Sequence, residues 1–518
     1  MASPKFKKVL SAFLPQGFKT TVDSLIGEIQ EVYLSDRIPW VLGYSGGKDS
    51  TAALQLVWLA LAKLTKEQRV KPVHVITTDT LVENPIVAAW VTRSLETMKA
   101  AAERADLPIF PHRLTPQISD TYWVNLIGRG YPAPRPKFRW CTERLKINPS
   151  NAFITGVVRE NGEAIVILGT RKAESAVRAR VMEKLEQKRI RDRLSPNTTL
   201  PNSLVFSPIE DWSNDDVWLF LMQVANPWGY DNKHLLTMYQ GATPDGECPL
   251  VIDTTTPSCG DSRFGCWVCT LVDKDKSMTA MIQNDDEKEW MLPLLELRNA
   301  LDSRDDEGNR NDRHLRDFRR LRGTVDLFND RNIPGPYTQD SRHEWLRKIL
   351  TTQQWVRENG PEHVRQIELI SLAELHEIRR IWVVDKHEVE DTLPKLYEEV
   401  TKEKFPGQRL DDNQVFGADE ISLLKDICGG DQLHFELTRD LLDVERRFRT
   451  LARRAGLYDA LEQTMRRGFY EGAEDAIERA RQHRAVKNAV EGENGRTEYG
   501  VETIKSLLDA QVPIVSND

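Results

Sequence analysis

No apolar run in this chain of 518 residues reaches the roughly 18 residues needed to cross a bilayer, so no membrane partner is expected. The N-terminus, MASPKFKKVLSAFLPQGF, has basic residues and a short apolar patch. It lacks a sustained apolar region and a small-residue cleavage site, so no signal peptide is read and a cytoplasmic location is expected. An excess of basic charge is also missing. Asp and Glu number 79 against 71 Lys and Arg, and the net charge of −8 does not mark a nucleic-acid binder. No internal repeat is found. Cysteine is scarce, at six residues, but Cys248, Cys259, Cys266 and Cys269 fall within 22 positions. In a large chain expected in the cytoplasm, such clustering points to metal binding or catalysis rather than disulfides. Cys428 stands alone and reads as a structural thiol.

The length exceeds what one hydrophobic core usually holds, so two or three domains are expected. A short apolar run, PWVLGY at 39–44, leads into SGGKDST and then into the helical pattern AALQLVWLALAK. VHVITTDT at 73–80, a helical pattern over 85–105, LPIFPHRLT and AIVILG at 164–169 continue the alternation. Strands alternating with helices predict an α/β fold with a mainly parallel sheet flanked by helices. Ligands of such sheets sit beyond the carboxyl ends of the strands, where the loops at 45–51, 79–85 and 169–178 are expected to converge. Residues 181–203 read as a mobile insertion. The expected organisation is an N-terminal helical segment (1–34), a nucleotide-binding domain (35–235), a four-cysteine region (236–300), a mostly helical C-terminal domain (301–485) and a partly flexible tail (486–518).

The loop Ser45-Gly46-Gly47-Lys48-Asp49-Ser50 joins a strand to a helix. Glycines let the backbone approach phosphate, exposed N–H groups at a helix start bind anions, and Lys48 adds a point charge. Its glycine spacing and the Asp after the Lys do not fit a Walker A loop. Asp79 ends a strand and suits Mg²⁺ or a ribose hydroxyl, or serves only as a turn former. Gly169 permits a turn after the next strand. Arg171 and Arg178 beyond it suit bidentate contacts to phosphate oxygens, or form part of a solvated charged helix. In KFRWCTERLK (137–146), Cys141 has basic neighbours in Arg139 and Lys146. These would lower its thiol pKa and make it a nucleophile or a ligand. The four clustered cysteines provide a four-sulfur site for Zn²⁺ or an iron–sulfur cluster, which spacing does not separate.

SGGKDS resembles the PP-loop of the ATP-pyrophosphatase (adenine nucleotide alpha hydrolase-like) superfamily. The resemblance implies ATP as substrate and cleavage between its α and β phosphates. GTRKAES with PIEDWSNDDVW resembles the phosphoadenosine-phosphosulfate (PAPS) reductase branch, over about residues 35–230. TDTLVENP, GYPAPRPKFRWCTERLK and above all GECPL with PSCGDSRFGCWVCTLV resemble the DndC family, the sulfurtransferases of bacterial DNA phosphorothioation. That resemblance implies a [4Fe–4S] cluster on Cys248, Cys259, Cys266 and Cys269, and replacement of a non-bridging DNA phosphate oxygen by sulfur. It also implies a cysteine desulfurase as sulfur donor, and DndD and DndE as partners. On this reading Ser45, Gly46, Gly47, Lys48 and Ser50 hold polyphosphate. Asp49 holds Mg²⁺ or orients the loop, Arg171 neutralises phosphate charge, and Cys141 is the candidate sulfur carrier. DNA is held directly or through a partner, and the Arg-rich stretches at 310–322 and 446–454 are candidate basic tracks. Competing readings are a PAPS reductase, a tRNA thiolase, the small subunit of ATP sulfurylase and a zinc-stabilised scaffold. The Glu-Cys-x-x-His context of PAPS reductases is absent, because Pro249, Leu250 and Val251 follow Cys248.

Overall fold

The computed structural model describes residues 11–189, 191–242, 265–321, 323–329, 331–386, 388, 391–407, 418–449 and 453–492. The expected ligands Cys248 and Cys259, and the tail beyond residue 492, lie outside the described residues. The described residues of Met1–Asp312, Gln339–Lys386 and Asp391–Gln408 form one compact unit. Those of Arg313–Thr338, His387–Glu390 and Arg409–Asp518 form a second.

The first unit is built on six strands: β1 (Trp40–Gly43), β2 (Val73–Thr78), β3 (Ile109–Leu114), β4 (Ala164–Ile167), β5 (Ser195–Pro196) and β6 (Ser203–Phe206). Their order is β3-β2-β1-β4-β6-β5. All neighbours are parallel except the edge strand β5, which runs antiparallel to β6. Among the helices of this unit are α1 (Phe18–Leu34), α2 (Lys48–Ala62), α3 (Pro85–Arg104), α4 (Asn148–Asn161), α5 (Ala176–Glu186), α6 (Asn214–Gln223) and α7 (Asn232–Gly241), followed by Lys276–Asn284, Leu292–Leu301, Gln339–Asn359, Leu372–Arg380 and Thr392–Thr401.

Strands β1 and β4 read as continuous apolar runs because both faces of the sheet are covered there. Trp40, Leu42, Val73, Val75, Ile165 and Ile167 pack with Ile29 of α1, Leu54 of α2, Met98 of α3 and Phe220 of α6. The alternate residues Val41, Ile76 and Val166 pack on Ile154 and Val157 of α4. This is the period-two alternation of a strand used twice. Helix α2 is buried from Ser50 to Trp58, which explains an apolar pattern that runs around the whole helix. Strand order reverses between β1 and β4, and the crevice at such a switch point is where open α/β sheets place ligands.

Within 181–203, α5 runs to Glu186 and β5 pairs with β6 at the sheet edge. The described residues of the Arg-rich stretch at 310–322 do not form a helical basic track. Among its described residues the helical turn is Arg313–Leu315, and several arginines bond the chain's own acceptors. Arg310 Nε lies 2.7 Å from Asp302, Arg316 Nε donates to the Gly335 carbonyl at 2.7 Å, and Arg319 bridges Asp317 and Glu436. The second stretch is likewise paired in part, Arg446 with Asp443 and Arg454 with Glu445. Among the described residues of the second unit, the longer helices are Ala418–Ile427, Gln432–Arg449, Leu457–Gly468 and Ala473–Gly492.

On the α4 face, His74 Nδ1 and His112 Nε2 lie 3.0 Å apart on neighbouring strands, with Phe153 against both rings. Burial holds both imidazoles below their ordinary value of 6.5, and for His74 the neighbouring ring adds to the effect. The unfolded chain therefore takes up protons at a higher pH than the folded one, and stability falls as pH drops through about 6.5. Thermal denaturation at pH 7 and pH 5 should show a lower midpoint at pH 5, with a smaller drop in His112→Asn. An equal drop in the variant would show that the pair does not set this dependence.

Candidate active site

Three loops leave the carboxyl ends of β1, β2 and β4 and enclose one cavity of 760 Å³. The first is Ser45–Ser50. Gly46 adopts φ +73°, and a Cβ there would lie 2.5 Å from Val91, so only glycine fits. Gly47 is the N-cap of α2 and brings no side chain over the first turn. The Ser45 and Ser50 hydroxyls lie 3.1 Å apart, and Ser50 Oγ donates to the Gly47 carbonyl at 3.0 Å. Lys48 sits at the N-terminus of α2, the wrong end of the helix macrodipole for a cation. That placement is stable only beside negative charge, which Asp49 supplies at 3.3 Å.

Arg171, beyond β4, is only 4% exposed. Its Nε donates to Asp49 Oδ1 at 2.7 Å and its Nη1 to the Trp212 carbonyl at 3.2 Å. Glu174 accepts from the Arg171 backbone N–H at 2.9 Å and also holds the Arg178 guanidinium. Gly169 does not line the cavity. It lies directly behind the loop, where a Cβ would be 2.6 Å from the Asp49 carbonyl oxygen and 2.9 Å from Ser50 N.

Asp79 accepts from Leu81 N at 2.8 Å and is bound by the Arg113 guanidinium, whose Nε donates at 3.0 Å. Leu81 adopts φ +63°, a strained conformation for a branched residue, inside this loop. Glu83, two residues on, accepts from Lys146 at 3.2 Å. Lys146 comes from a π-helical turn at Thr142–Ile147. Burial alone would lower its pKa, but the Cys266 sulfur and the Glu83 carboxylate outweigh that and hold the ammonium above its ordinary value. Each of the carboxylates Asp49, Asp79, Glu83 and Glu174 in the cavity wall is thus ion-paired.

Of the residues singled out from sequence, Ser45 through Ser50, Asp79, Arg171 and Arg178 line the cavity. Cys141, Cys266 and Cys269 do not. Cys266 lies on its flank, with Sγ 3.3 Å from Thr80 Oγ1 and 4.0 Å from Glu83 Oε1. The segment 265–267 pairs with the β2 loop, Asn84 N donating to the Gly265 carbonyl and Trp267 N to the Val82 carbonyl. Cys266 and Cys269 share one tight turn, in which Cys269 N donates to the Cys266 carbonyl at 3.0 Å. The buried Arg298 holds this turn through the Cys269, Val272 and Asp273 carbonyls. Burial pushes the Cys141 thiol up, and Cys269 nearby adds to the rise, while Thr142 and Arg139 only partly offset it. The expectation that cationic neighbours lower this pKa is therefore overturned. Burial likewise pushes Cys266 up, with Glu83 adding and Lys146 opposing. Among the described residues, no three His, Cys, Asp or Glu are grouped to hold a metal ion.

Sequence reasoning missed Arg113, Glu83 and Tyr239 in this cavity. Tyr239 of α7 accepts from Lys48 N at 3.4 Å, taking the place where an anion's oxygen would meet the helix start. Burial holds its hydroxyl well above the ordinary phenol value, so it is neutral there.

Residues 39–229 match the phosphoadenosine phosphosulfate reductase domain family. A curated relative, an uncharacterized protein of Methanocaldococcus jannaschii, is 28% identical over 205 residues, which are 39% of this chain and 35% of the relative. The chain thus spans about a third of that protein's length. Among solved structures it is similar to PAPS reductase of Candida auris in a phosphate complex, at 13% identity and a TM-score of 0.26. That match covers 44% of this chain and 93% of the other. It is also similar to FMN adenylyltransferase of Candida glabrata with FAD and inorganic pyrophosphate, at 10% identity and a TM-score of 0.26. There the coverage is 44% and 62%.

Two substitutions test the geometry. Gly169→Ala drives a methyl into the α2 backbone and should cost about 1–3 kcal/mol of stability, read as a lower thermal midpoint. Arg171→Met leaves Asp49 with Lys48 alone and removes the bond to the Trp212 carbonyl, and should cost about 1–3 kcal/mol and weaken ATP binding by calorimetry. Unchanged ATP affinity in folded Arg171→Met would remove Arg171 from the site.

Proposed function

With residues 39–229 forming a PAPS reductase-like nucleotide-binding domain, we propose that this protein is an ATP-pyrophosphatase sulfurtransferase that prepares a DNA backbone phosphate for replacement of an oxygen by sulfur. The observation that carries the reading is the junction of two devices on one loop. The segment 79–84 lines the phosphate-loop cavity with Asp79 and Glu83, and its backbone pairs with the turn bearing Cys266. A nucleotide-activating cavity and a cysteine turn share that wall.

The chemistry follows from charge and leaving-group ability. An oxygen of the acceptor phosphate attacks the α-phosphorus of ATP. The new O–P bond forms as the bond to the β-phosphate oxygen breaks, and pyrophosphate leaves with the electron pair. The terminal sulfur of a Cys141 persulfide then attacks the acceptor phosphorus and expels AMP, which carries away the original oxygen. A thiol reductant attacks Cys141 Sγ, breaks the S–S bond and releases the phosphorothioate with the electron pair on its sulfur, leaving a disulfide. The backbone around Gly46 and Gly47 and the start of α2 bind polyphosphate oxygens, displacing the Tyr239 hydroxyl. Lys48, Arg171, Arg178 and Arg113 supply positive charge to the leaving pyrophosphate. Every wall carboxylate is ion-paired with a cation, so polyphosphate competes for those cations and frees carboxylate oxygens. Asp49 or Asp79 would then hold Mg²⁺, which supplies further neutralisation of the polyphosphate. The PAPS reductase-like reading of the same domain shares the nucleotide cavity but gives the four-cysteine region no role.

Cys266 and Cys269 are both free thiols held on one turn, a donor pair that fits soft-metal ligation. With Cys248 and Cys259 they would hold a [4Fe–4S] cluster, which supplies bound sulfide and electron transfer. Cys141 is assigned as sulfur carrier, fed by a cysteine desulfurase, with DndD and DndE as partners. These assignments are carried by the resemblance of the cysteine region to DndC. Among the described residues no helix is long and apolar enough to cross a membrane.

Lys48→Ala should abolish ATP-dependent pyrophosphate release while the protein stays folded, and unchanged release would remove the phosphate loop from the reaction. Anaerobically purified protein should absorb near about 400 nm and contain roughly four iron and four sulfide per chain. A colourless protein with about one zinc would make the four cysteines a structural site.

A further inference from the structure

A second cavity of 490 Å³ adjoins the first and shares Asp79, Glu83, Ala88 and Arg113 with it. Its size falls within the range of small-ligand sites, roughly 300–1,000 Å³, and has room for one nucleotide. On one side α3 contributes Arg93, which is exposed, next to Arg113 from β3. On the other the segment 363–371 contributes His363, packed edge-on to Trp290 with centroids 6.5 Å apart. Trp267, the residue after Cys266, also lines this cavity. The nucleotide cavity accounts for none of Arg93, Trp290 and His363.

We propose that this second cavity seats the acceptor as a single phosphodiester-linked nucleotide, its base against Trp290 and His363 and its phosphate toward Arg93 and Arg113. Guanidinium groups bind phosphate oxygens in a fork, and aromatic faces accept any base by stacking. Arg113 borders both cavities, so an acceptor phosphate held by it adjoins the polyphosphate of the first. A phosphodiester oxygen is already ionised near neutral pH and carries no proton. The attack on the α-phosphorus therefore needs no general base, and the shared wall needs only cations. A cavity of this size takes one nucleotide turned out of its stack, which favours single strands over duplex.

The seat rests on the adenylating reading, and one set of measurements separates the two. Full-length protein, prepared anaerobically, is titrated with fluorescent single-stranded 12-mers of DNA and of RNA of the same sequence, with their duplexes, and with ATP alone. Single strands should bind more tightly than duplex. Arg93→Glu, at an exposed position, should weaken oligonucleotide binding at least tenfold and leave ATP affinity unchanged. A 5-iodouracil 12-mer should cross-link to Trp290 or His363, and His363→Ala should reduce the yield. Wild-type oligonucleotide affinity in Arg93→Glu, a cross-link mapped elsewhere, or no oligonucleotide binding at all would overturn the seat. Preference for RNA would support the seat and overturn DNA as the acceptor. Pyrophosphate release that needs an oligonucleotide and survives Arg93→Glu would overturn the seat and leave the adenylating reading standing. Oligonucleotide binding that is lost in Arg93→Glu, without pyrophosphate release from wild type, would do the reverse.

Discussion

The architecture of the site depends on one ion pair across the switch point of the sheet. Arg171 is buried after β4, and a buried guanidinium is tolerated only when its charge and donors are met. Asp49 after β1 and the Trp212 carbonyl meet them. The same carboxylate holds Lys48 at the start of α2. One buried arginine therefore fixes the phosphate loop, its lysine and the relation of the β1 and β4 loops. Gly169 makes this possible from behind, because the β4 loop touches the α2 backbone where any side chain would separate them. The result is a cationic end of a helix with a lysine on it, an arrangement that favours an anion and has little other use.

The parts of this site that lie in one contiguous segment were legible in the sequence. SGGKDS announces its own loop through glycines and a following apolar helix, and the runs over β1, β2 and β4 announce a sheet buried on both faces. Arg171 was legible as a cation after a strand, but its partner was not, since Asp49 is 122 positions away. Arg113, Glu83 and Tyr239 were missed for the same reason. They reach the cavity from a neighbouring strand, a loop and a late helix, and none stands in a recognisable local pattern. Charge counting misled in two places. Arg310, Arg316 and Arg319 look like a basic track in sequence but satisfy carboxylates and carbonyls of their own chain. The basic neighbours of Cys141 predict a lowered thiol pKa, yet burial outweighs Arg139, and Lys146 turns to Glu83. Spacing in sequence reports which charges exist, and only packing decides how much water and which partner each one keeps.

The loop 79–84 gives the remaining logic of the molecule. Asp79 at its start faces the nucleotide cavity and binds Arg113. Leu81 holds a strained left-handed backbone, which costs on the order of 1–3 kcal/mol and persists only where surroundings enforce it. Two groups enforce it here: Asp79 takes the Leu81 N–H, and the 265–267 segment takes the backbone at Val82 and Asn84. The loop is therefore held from the nucleotide side and from the cysteine side at once. The second restraint, through Gly265 and Trp267, ties the loop to the cysteine turn, whose carbonyls Arg298 holds. The cavity wall and the cysteine turn are thus joined through one stretch of six residues.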